Sequence, residues 1–345
     1  MSAFNEVNKF GSFIKNVVSR KNRIKYLKYR FSWNFLHKYH LVSRFPTHID
    51  IETTNKCNLK CIMCPHGFPT PAFKKSLGSM DVELAKKILE EGTKKGLASI
   101  KLNWRGEPLI WKEHLVDIIK YAKQLGVLDV ILNTNGLLLD DKLSKELILS
   151  GLNLIVFSVD GDTSSTYETI RKGGNFNKLV HNLQKFVEIR NSLGKTKPLV
   201  RVQMVKMDKN AHEIESLIKR WTPYVESITF QDYTNRGEDE NRLNTDKEGF
   251  KKIGRRPCPQ IWQRIIVKWD GSVVMCCRDW ESENVLGQLD YSKGLDVESF
   301  WRGNRLNKIR RLHLNKELQE ISACSKCTYK ESFEWQKNRI RDIEK

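Results

Sequence analysis

The sequence lacks the features that would place it in a membrane or outside a cell. No apolar run reaches the roughly 18 to 20 residues that span a bilayer, and no signal-type hydrophobic segment opens the chain. A cytoplasmic protein is expected. Acidic residues are also scarce: 41 Asp and Glu stand against 60 Lys and Arg, a formal net charge of +19. Such a surplus implies attraction to phosphates, nucleic acids or anionic lipid heads. Helix-turn-helix signatures, RNP aromatic motifs and zinc fingers are all missing, however, so nothing in the sequence points specifically to nucleic acid.

The chain has 345 residues, of which 39% are hydrophobic, enough for a sizeable core in one large domain or two smaller ones. Its eight cysteines fall into two separate groups. Small secreted proteins spread cysteines as a disulfide framework. Here metal ligation is the better account.

The first group is Cys57-Asn-Leu-Lys-Cys61-Ile-Met-Cys64, directly after a strand-like run, His48 to Thr54. Three thiolates so close together can close around one metal centre, and on a four-iron cluster they leave one iron without a protein ligand. A structural zinc site is the alternative, with His66 as its fourth ligand.

The C-x3-C-x2-C spacing is similar to the signature of the radical S-adenosylmethionine (radical SAM) superfamily. The resemblance implies a 4Fe-4S cluster on Cys57, Cys61 and Cys64, with the amino and carboxylate groups of S-adenosylmethionine on the fourth iron. An electron from the reduced cluster would split the sulfonium and give a 5'-deoxyadenosyl radical. The cofactor then carries the difficult chemistry, and the protein supplies position and dryness.

From Ile49 to about Asp232, short β-branched runs alternate with amphipathic stretches. Strands are expected at 49–52, 99–104, 129–133, 154–159, 199–205 and 227–231. Helices are expected at 81–95, 112–125, 140–150, 176–191 and 212–221. This α/β order resembles the partial (β/α)6 TIM-like barrel of the superfamily, in which ligands sit at the C-terminal strand ends. The second strand leads into Trp104-Arg105-Gly106-Glu107-Pro108, similar to the glycine-glycine-glutamate motif that engages the methionine amino group. Arg105 stands where that motif has its first glycine. Asn133-Thr-Asn135-Gly136 follows the third strand and Ser158-Val-Asp160-Gly161 the fourth. The resemblance gives Gly106, Glu107, Asn133, Asn135, Ser158 and Asp160 to the cofactor, and Arg171 to its carboxylate. Asn-Gly and Asp-Gly are also common turn dipeptides.

The second group comprises Cys258, Cys276, Cys277, Cys324 and Cys327. A hairpin turning at Asp270-Gly271 would present Cys276 at a strand end, and one helical run from Val297 to Leu314 returns the chain to Cys324-Ser-Lys-Cys327. Four thiolates can converge from Cys258, Cys276 and this pair, for a cluster or for zinc. The arrangement resembles the SPASM and twitch domains that hold an auxiliary 4Fe-4S cluster; with five cysteines the shorter twitch form is closer. Cys277 is surplus: a packed thiol, another ligand or a hydrogen-atom donor.

The expected organisation is a basic amphipathic extension (1–45), the barrel (46–235), a linker (236–257) and a small C-terminal cysteine-rich auxiliary-cluster domain (258–345). In the extension, Ile24, Leu27, Phe31 and Phe35 form an apolar face, which either packs on the barrel or meets an anionic partner. The expected activity is hydrogen abstraction from a sugar-like or aminocyclitol-like small molecule, which is then oxidised with help from the auxiliary cluster. Peptide modification is the alternative reaction, and a zinc-stabilised nucleic-acid or lipid-binding protein the alternative class. A flavodoxin- or ferredoxin-type protein would supply the electron. Substrate contacts are expected among His66, Gln203, Asp232, Tyr233, Arg278 and Asp279.

Overall fold

Runs rich in Val, Ile and Leu form six strands, β1 (His48–Ile51), β2 (Ser99–Lys101), β3 (Asp129–Thr134), β4 (Leu154–Ser158), β5 (Leu199–Lys206) and β6 (Ser227–Asp232), in the computed structural model. The structure describes residues 23–233, 257–290, 292, 294–325 and 327. Each strand pairs in parallel with the next. The helices of seven residues or more between them are α2 (Val82–Lys95), α3 (Lys112–Gln124), α4 (Asp141–Leu149), α5 (Ser164–Ile170), α6 (Phe176–Ser192) and α7 (Ile214–Trp221); α1 (Arg23–Phe35) precedes the barrel. Asp81, Asp140 and Asn175 cap α2, α4 and α6 by accepting from the backbone N–H three residues on, as short polar side chains do at helix starts. The short α5 escapes the hydrophobic period.

Along β3 and β5 alternate residues are fully buried and half-buried. In a sheet covered by helices on one face, that alternation marks a strand whose other face lines a lumen. Asn133, Arg201 and Gln203 are its inward residues.

The cysteine-rich segment continues the same sheet. Its hairpin strands β7 (Arg264–Val267) and β8 (Ser272–Val274) are joined by β9 (Val285–Gln288), and β7 pairs in parallel with β1, giving the order β6-β5-β4-β3-β2-β1-β7-β8-β9. Gly271 makes the hairpin turn at φ 84°, a conformation that suits glycine. The run expected as one helix is two, α8 (Val297–Arg302) and α9 (Asn304–Leu314), broken at an extended Gly303 whose added Cβ would lie 2.3 Å from the Ser299 carbonyl oxygen.

Of the two expectations for the N-terminal helix, packing through the row Ile24, Leu27, Phe31 and Phe35 is the one the structure overturns. The helix packs on the barrel through Tyr26, Tyr29 and Trp33, which meet Leu154, Val156 and Leu199 at the lower end of the strands. The row Ile24, Leu27, Phe31 and Phe35 points outward and is 69, 62, 59 and 40% exposed. The barrel floor is polar as well as apolar, carrying His48, Ser99 and Asp129. Aromatic rings with polar edges suit it better than aliphatic chains; the Trp33 ring meets His48 edge-on at 5.3 Å. Residues 1–22, 234–256 and 328–345, which include most of the expected linker and the tail, lie outside the described residues.

Candidate active site

The cysteine loop leaves β1 at its C-terminal end and is stitched down by its own backbone. Lys60 N–H donates to Lys172 O and Ile62 N–H to Ile170 O, each at 2.9 Å, tying the loop to the end of α5. Gly67 lets the loop fold back, since a Cβ there would lie 2.3 Å from the Cys61 carbonyl oxygen. Gly106 approaches from the next unit with equal need: its Cβ would meet Thr54 O at 2.2 Å and Lys56 O at 2.6 Å. The glycine of the Gly-Glu-Pro turn is therefore set by contact with the cysteine loop.

Cys57, Cys61 and Cys64 line a cavity of about 430 Å³ in the barrel mouth, together with Gly106, Glu107, Asn133, Asn135, Ser158 and Arg171. All eight cysteines are thiols without a disulfide. Burial pushes the Cys61 thiol up to about 12, although the Arg171 cation pulls the other way, and raises Cys57 further. Such thiols keep their protons until a metal displaces them.

Glu107 brackets the turn to β3. Its carboxylate accepts from Thr134 Oγ1 (2.7 Å), Asn135 N–H (2.7 Å) and Leu109 N–H (3.1 Å). Burial nonetheless raises its pKa above the usual value. A carboxylate has about four acceptor positions, so one is left towards the cavity. Asn135 donates to Asn58 Oδ1 in the cysteine loop at 2.8 Å.

Asp160 sits one layer behind the lining. It is fully buried, accepts from Val205 N–H at 2.7 Å and holds Arg171 through a 2.7 Å contact with Nη2, while Arg171 Nη1 lies 3.9 Å from Cys61 Sγ. Gln203 and Arg278 line the cavity as expected. His66, Tyr233 and Asp279 are not in that lining: His66 packs edge-on against Phe73 at 5.0 Å, and Asp279 accepts from the backbone of Glu283 and Asn284. For Asp232 the structure describes the backbone, which ends β6.

Six cations, Lys101, Arg105, Arg171, Arg201, Arg264 and Arg278, line this cavity beside Glu107, and the buried carboxylates of Asp50, Glu52 and Asp160 behind the lining pair with four of them: Lys101 and Arg264, Arg105, and Arg171. Three of the six, Lys101, Arg201 and Arg264, are missing from the sequence reading, and Arg105 enters it only as a departure from the glycine motif. For Arg201 the signal was present, since Arg201 and Gln203 alternate with Val and Met in a strand otherwise apolar enough for a core.

The adjacent Cys276 and Cys277 divide between two cavities. Cys276 joins Cys258, Cys324 and Cys327 around a second cavity whose other walls include Ile261, Met275, Leu318 and Ala323. Cys277 lines the barrel cavity instead, 3.8 Å from Arg264 Nη2. His313, a buried residue of α9 that sequence reading passed over, sits between the second set: it accepts from Cys258 N–H at 3.2 Å and its Nε2 lies 3.5 Å from Cys324 Sγ. The buried row Leu306, Ile309, Arg310 and His313 follows the helical period and was the available signal.

Both donor sets fit iron–sulfur clusters. Among the described residues no three His, Cys, Asp or Glu side chains gather closely enough for a single ion; the thiols rim spaces instead. Three thiols on a polar, open cavity suit a cluster with a free corner, and four thiols in an apolar pocket suit one fully held by protein.

Residues 51–220 match the model of the radical SAM superfamily, and residues 258–328 match the iron–sulfur cluster-binding domain called SPASM. A GTP 3',8-cyclase of Petrotoga mobilis is 28% identical over 204 residues, 57% of this chain and 60% of that protein, so the chain spans less than two thirds of this relative. Among solved structures, BtrN in complex with AdoMet and 2-DOIA aligns with a TM-score of 0.56 over 83% of this chain and 94% of that one, at 18% identity. Streptococcus suis SuiB bound to its precursor peptide SuiA gives 0.57 over 85% and 73%, at 14% identity. These last two are likenesses of fold.

Proposed function

The chain belongs to the radical SAM superfamily and carries a SPASM iron–sulfur domain, and on that premise we propose that it abstracts hydrogen from a small, anionic, carbohydrate-like molecule in the barrel lumen. When bound, a 4Fe-4S cluster with S-adenosylmethionine and an auxiliary iron–sulfur cluster supply reductive cleavage, hydrogen abstraction and an electron acceptor. Cys57, Cys61 and Cys64 hold the first cluster; Cys258, Cys276, Cys324 and Cys327 hold the second. Gly106, Glu107, Asn133, Asn135, Ser158 and Arg171 receive S-adenosylmethionine, and Asp160 keeps Arg171 in place. A flavodoxin- or ferredoxin-type carrier brings the reducing electron.

The observation that carries the substrate class is the surplus of cations around the lumen, six against the four carboxylates of Glu107, Asp50, Glu52 and Asp160. Guanidinium groups match carboxylate and phosphate in a fork and repel a protonated amine. An acidic or phosphorylated sugar therefore fits better than a cationic aminocyclitol. The relative named for GTP acts, by its name, on a phosphorylated molecule, which supports the same class. Loss of a hydrogen atom, an electron and the hydroxyl proton would convert a carbinol to a carbonyl.

The test is a panel of sugar phosphates, sugar acids and amino sugars, scored by substrate-dependent 5'-deoxyadenosine. Anionic members should stimulate it, and Arg278→Gln should raise their KM on the order of tenfold, the loss of about one charged hydrogen bond. Stimulation by amino sugars alone would refute the class.

Cys277 favours a second outcome, in which its S–H bond breaks and returns a hydrogen atom to the substrate carbon, leaving a thiyl radical and an inverted centre. Cys277→Ala separates the two. Oxidation survives the change, whereas hydrogen return is lost while 5'-deoxyadenosine still forms; in D2O, only hydrogen return places solvent deuterium on the product carbon.

A further inference from the structure

The end of the barrel opposite the cavity mouth carries a surface for which catalysis has no use. Helix α1 has two apolar rows that, at about 3.6 residues per turn, lie on opposite sides. Tyr26, Tyr29 and Trp33 plug the barrel floor. Ile24, Leu27, Phe31 and Phe35 face away from it, and Tyr39 and Leu41 continue the exposure past the helix. Six of the nine large exposed hydrophobics among the described residues thus fall between positions 24 and 41. Single exposed apolar residues are ordinary; a contiguous row is not.

The charge around the row narrows what covers it. Helix α1 has no acidic residue. On the helix, Lys25 and Lys28 border the row on one side and Arg30 on the other. Beyond the helix the Lys38 ammonium lies 4.9 Å from the Phe35 ring, which stacks on Phe31 at 4.7 Å. Cations on both flanks of an apolar stripe match a flat anionic surface, where long side chains bury their stems and keep their charges at the phosphates.

We propose that this face of α1 seats the protein on an anionic lipid bilayer. Ile24, Leu27, Phe31 and Phe35 enter the boundary between headgroups and acyl chains, and the flanking Lys and Arg meet lipid phosphates. The contact is peripheral: among the described residues no helix is long and apolar enough to cross a membrane. Because α1 covers the N-terminal ends of the strands, docking leaves the cavity mouth clear.

The test sediments the reconstituted full chain with phosphatidylcholine vesicles, with and without phosphatidylglycerol. The protein partitions onto the anionic vesicles and not the neutral ones, and is released as salt approaches 1 M, where the screening length is about 3 Å. Leu27→Glu with Phe31→Glu, and separately Lys25→Glu with Lys28→Glu and Lys38→Glu, each weaken partitioning on the order of 100-fold. All five side chains are exposed, so iron content and the circular dichroism spectrum stay unchanged. Failure to bind anionic vesicles at low salt overturns the proposal, as does equal binding to neutral ones. Binding that appears only after residues 1–22 are removed makes that segment the occupant, and self-association abolished by Phe31→Glu makes it a second copy; either overturns the proposal.

Discussion

Arg105 closes on Glu52 as a fork, Nε to Oε1 at 2.8 Å and Nη2 to Oε2 at 3.2 Å, while its Nη1 donates to the Trp280 carbonyl at 3.0 Å. One guanidinium thereby joins the end of β1, the turn after β2 and the loop after Cys277. It lies 4.3 Å from the Trp104 ring. The superfamily motif has a glycine at this position, and here the arginine clasps barrel to cysteine-rich segment.

Removing that clasp should be costly. Arg105→Ala leaves Glu52 buried and unpaired, a loss of about 3 to 5 kcal/mol, and Arg105→Lys should recover only part of it because an ammonium cannot fork. The double change Arg105→Met with Glu52→Gln should cost less than Arg105→Ala alone. Denaturant titration of the reconstituted proteins measures all three.

Gly106→Ala tests the close approach of the turn to the cysteine loop. A Cβ 2.2 Å from Thr54 O and 2.6 Å from Lys56 O forces two backbone segments apart, typically costing about 1 to 3 kcal/mol. The affinity for S-adenosylmethionine should fall by roughly ten- to a hundredfold, measured by equilibrium dialysis on protein of unchanged iron content. Wild-type affinity would show that the turn can shift freely.

The barrel floor should make stability pH-dependent. Burial lowers the pKa of His48 more than its 2.8 Å contact with Asp50 raises it, because Arg264 and Lys101 already share that carboxylate at 3.2 Å each. The unfolded chain takes up a proton near pH 6.5 that the folded protein resists. Stability is therefore complete above about pH 6.5 and falls as pH drops below it, by at most about 1.4 kcal/mol per pH unit. In melting curves between about pH 7.5 and 5.5, the range in which a histidine titrates, His48→Gln should lose less stability than the wild type.

The six barrel strands were legible because parallel strands buried by helices must be rich in β-branched residues, and their polar ends mark the cavity. The cysteine spacing was equally open to reading. Helix α1 shows where pattern stops: periodicity found Ile24, Leu27, Phe31 and Phe35 but could not tell which of two apolar faces meets the protein. The pairing of β7 with β1 is non-local and left no local sign. Nor could spacing show that Cys276 and Cys277, adjacent in sequence, serve different cavities; that follows from the turn the backbone makes at Cys277 and Arg278 after β8.

The most direct test is electron paramagnetic resonance of two reduced, reconstituted variants, Cys61→Ala and Cys324→Ala. Each should retain one 4Fe-4S signal, and S-adenosylmethionine should shift the signal of Cys324→Ala while leaving that of Cys61→Ala untouched. A shift in the Cys61→Ala protein, or two unaltered signals in either variant, would contradict the assignment of the open cluster to Cys57, Cys61 and Cys64 and of the closed one to Cys258, Cys276, Cys324 and Cys327.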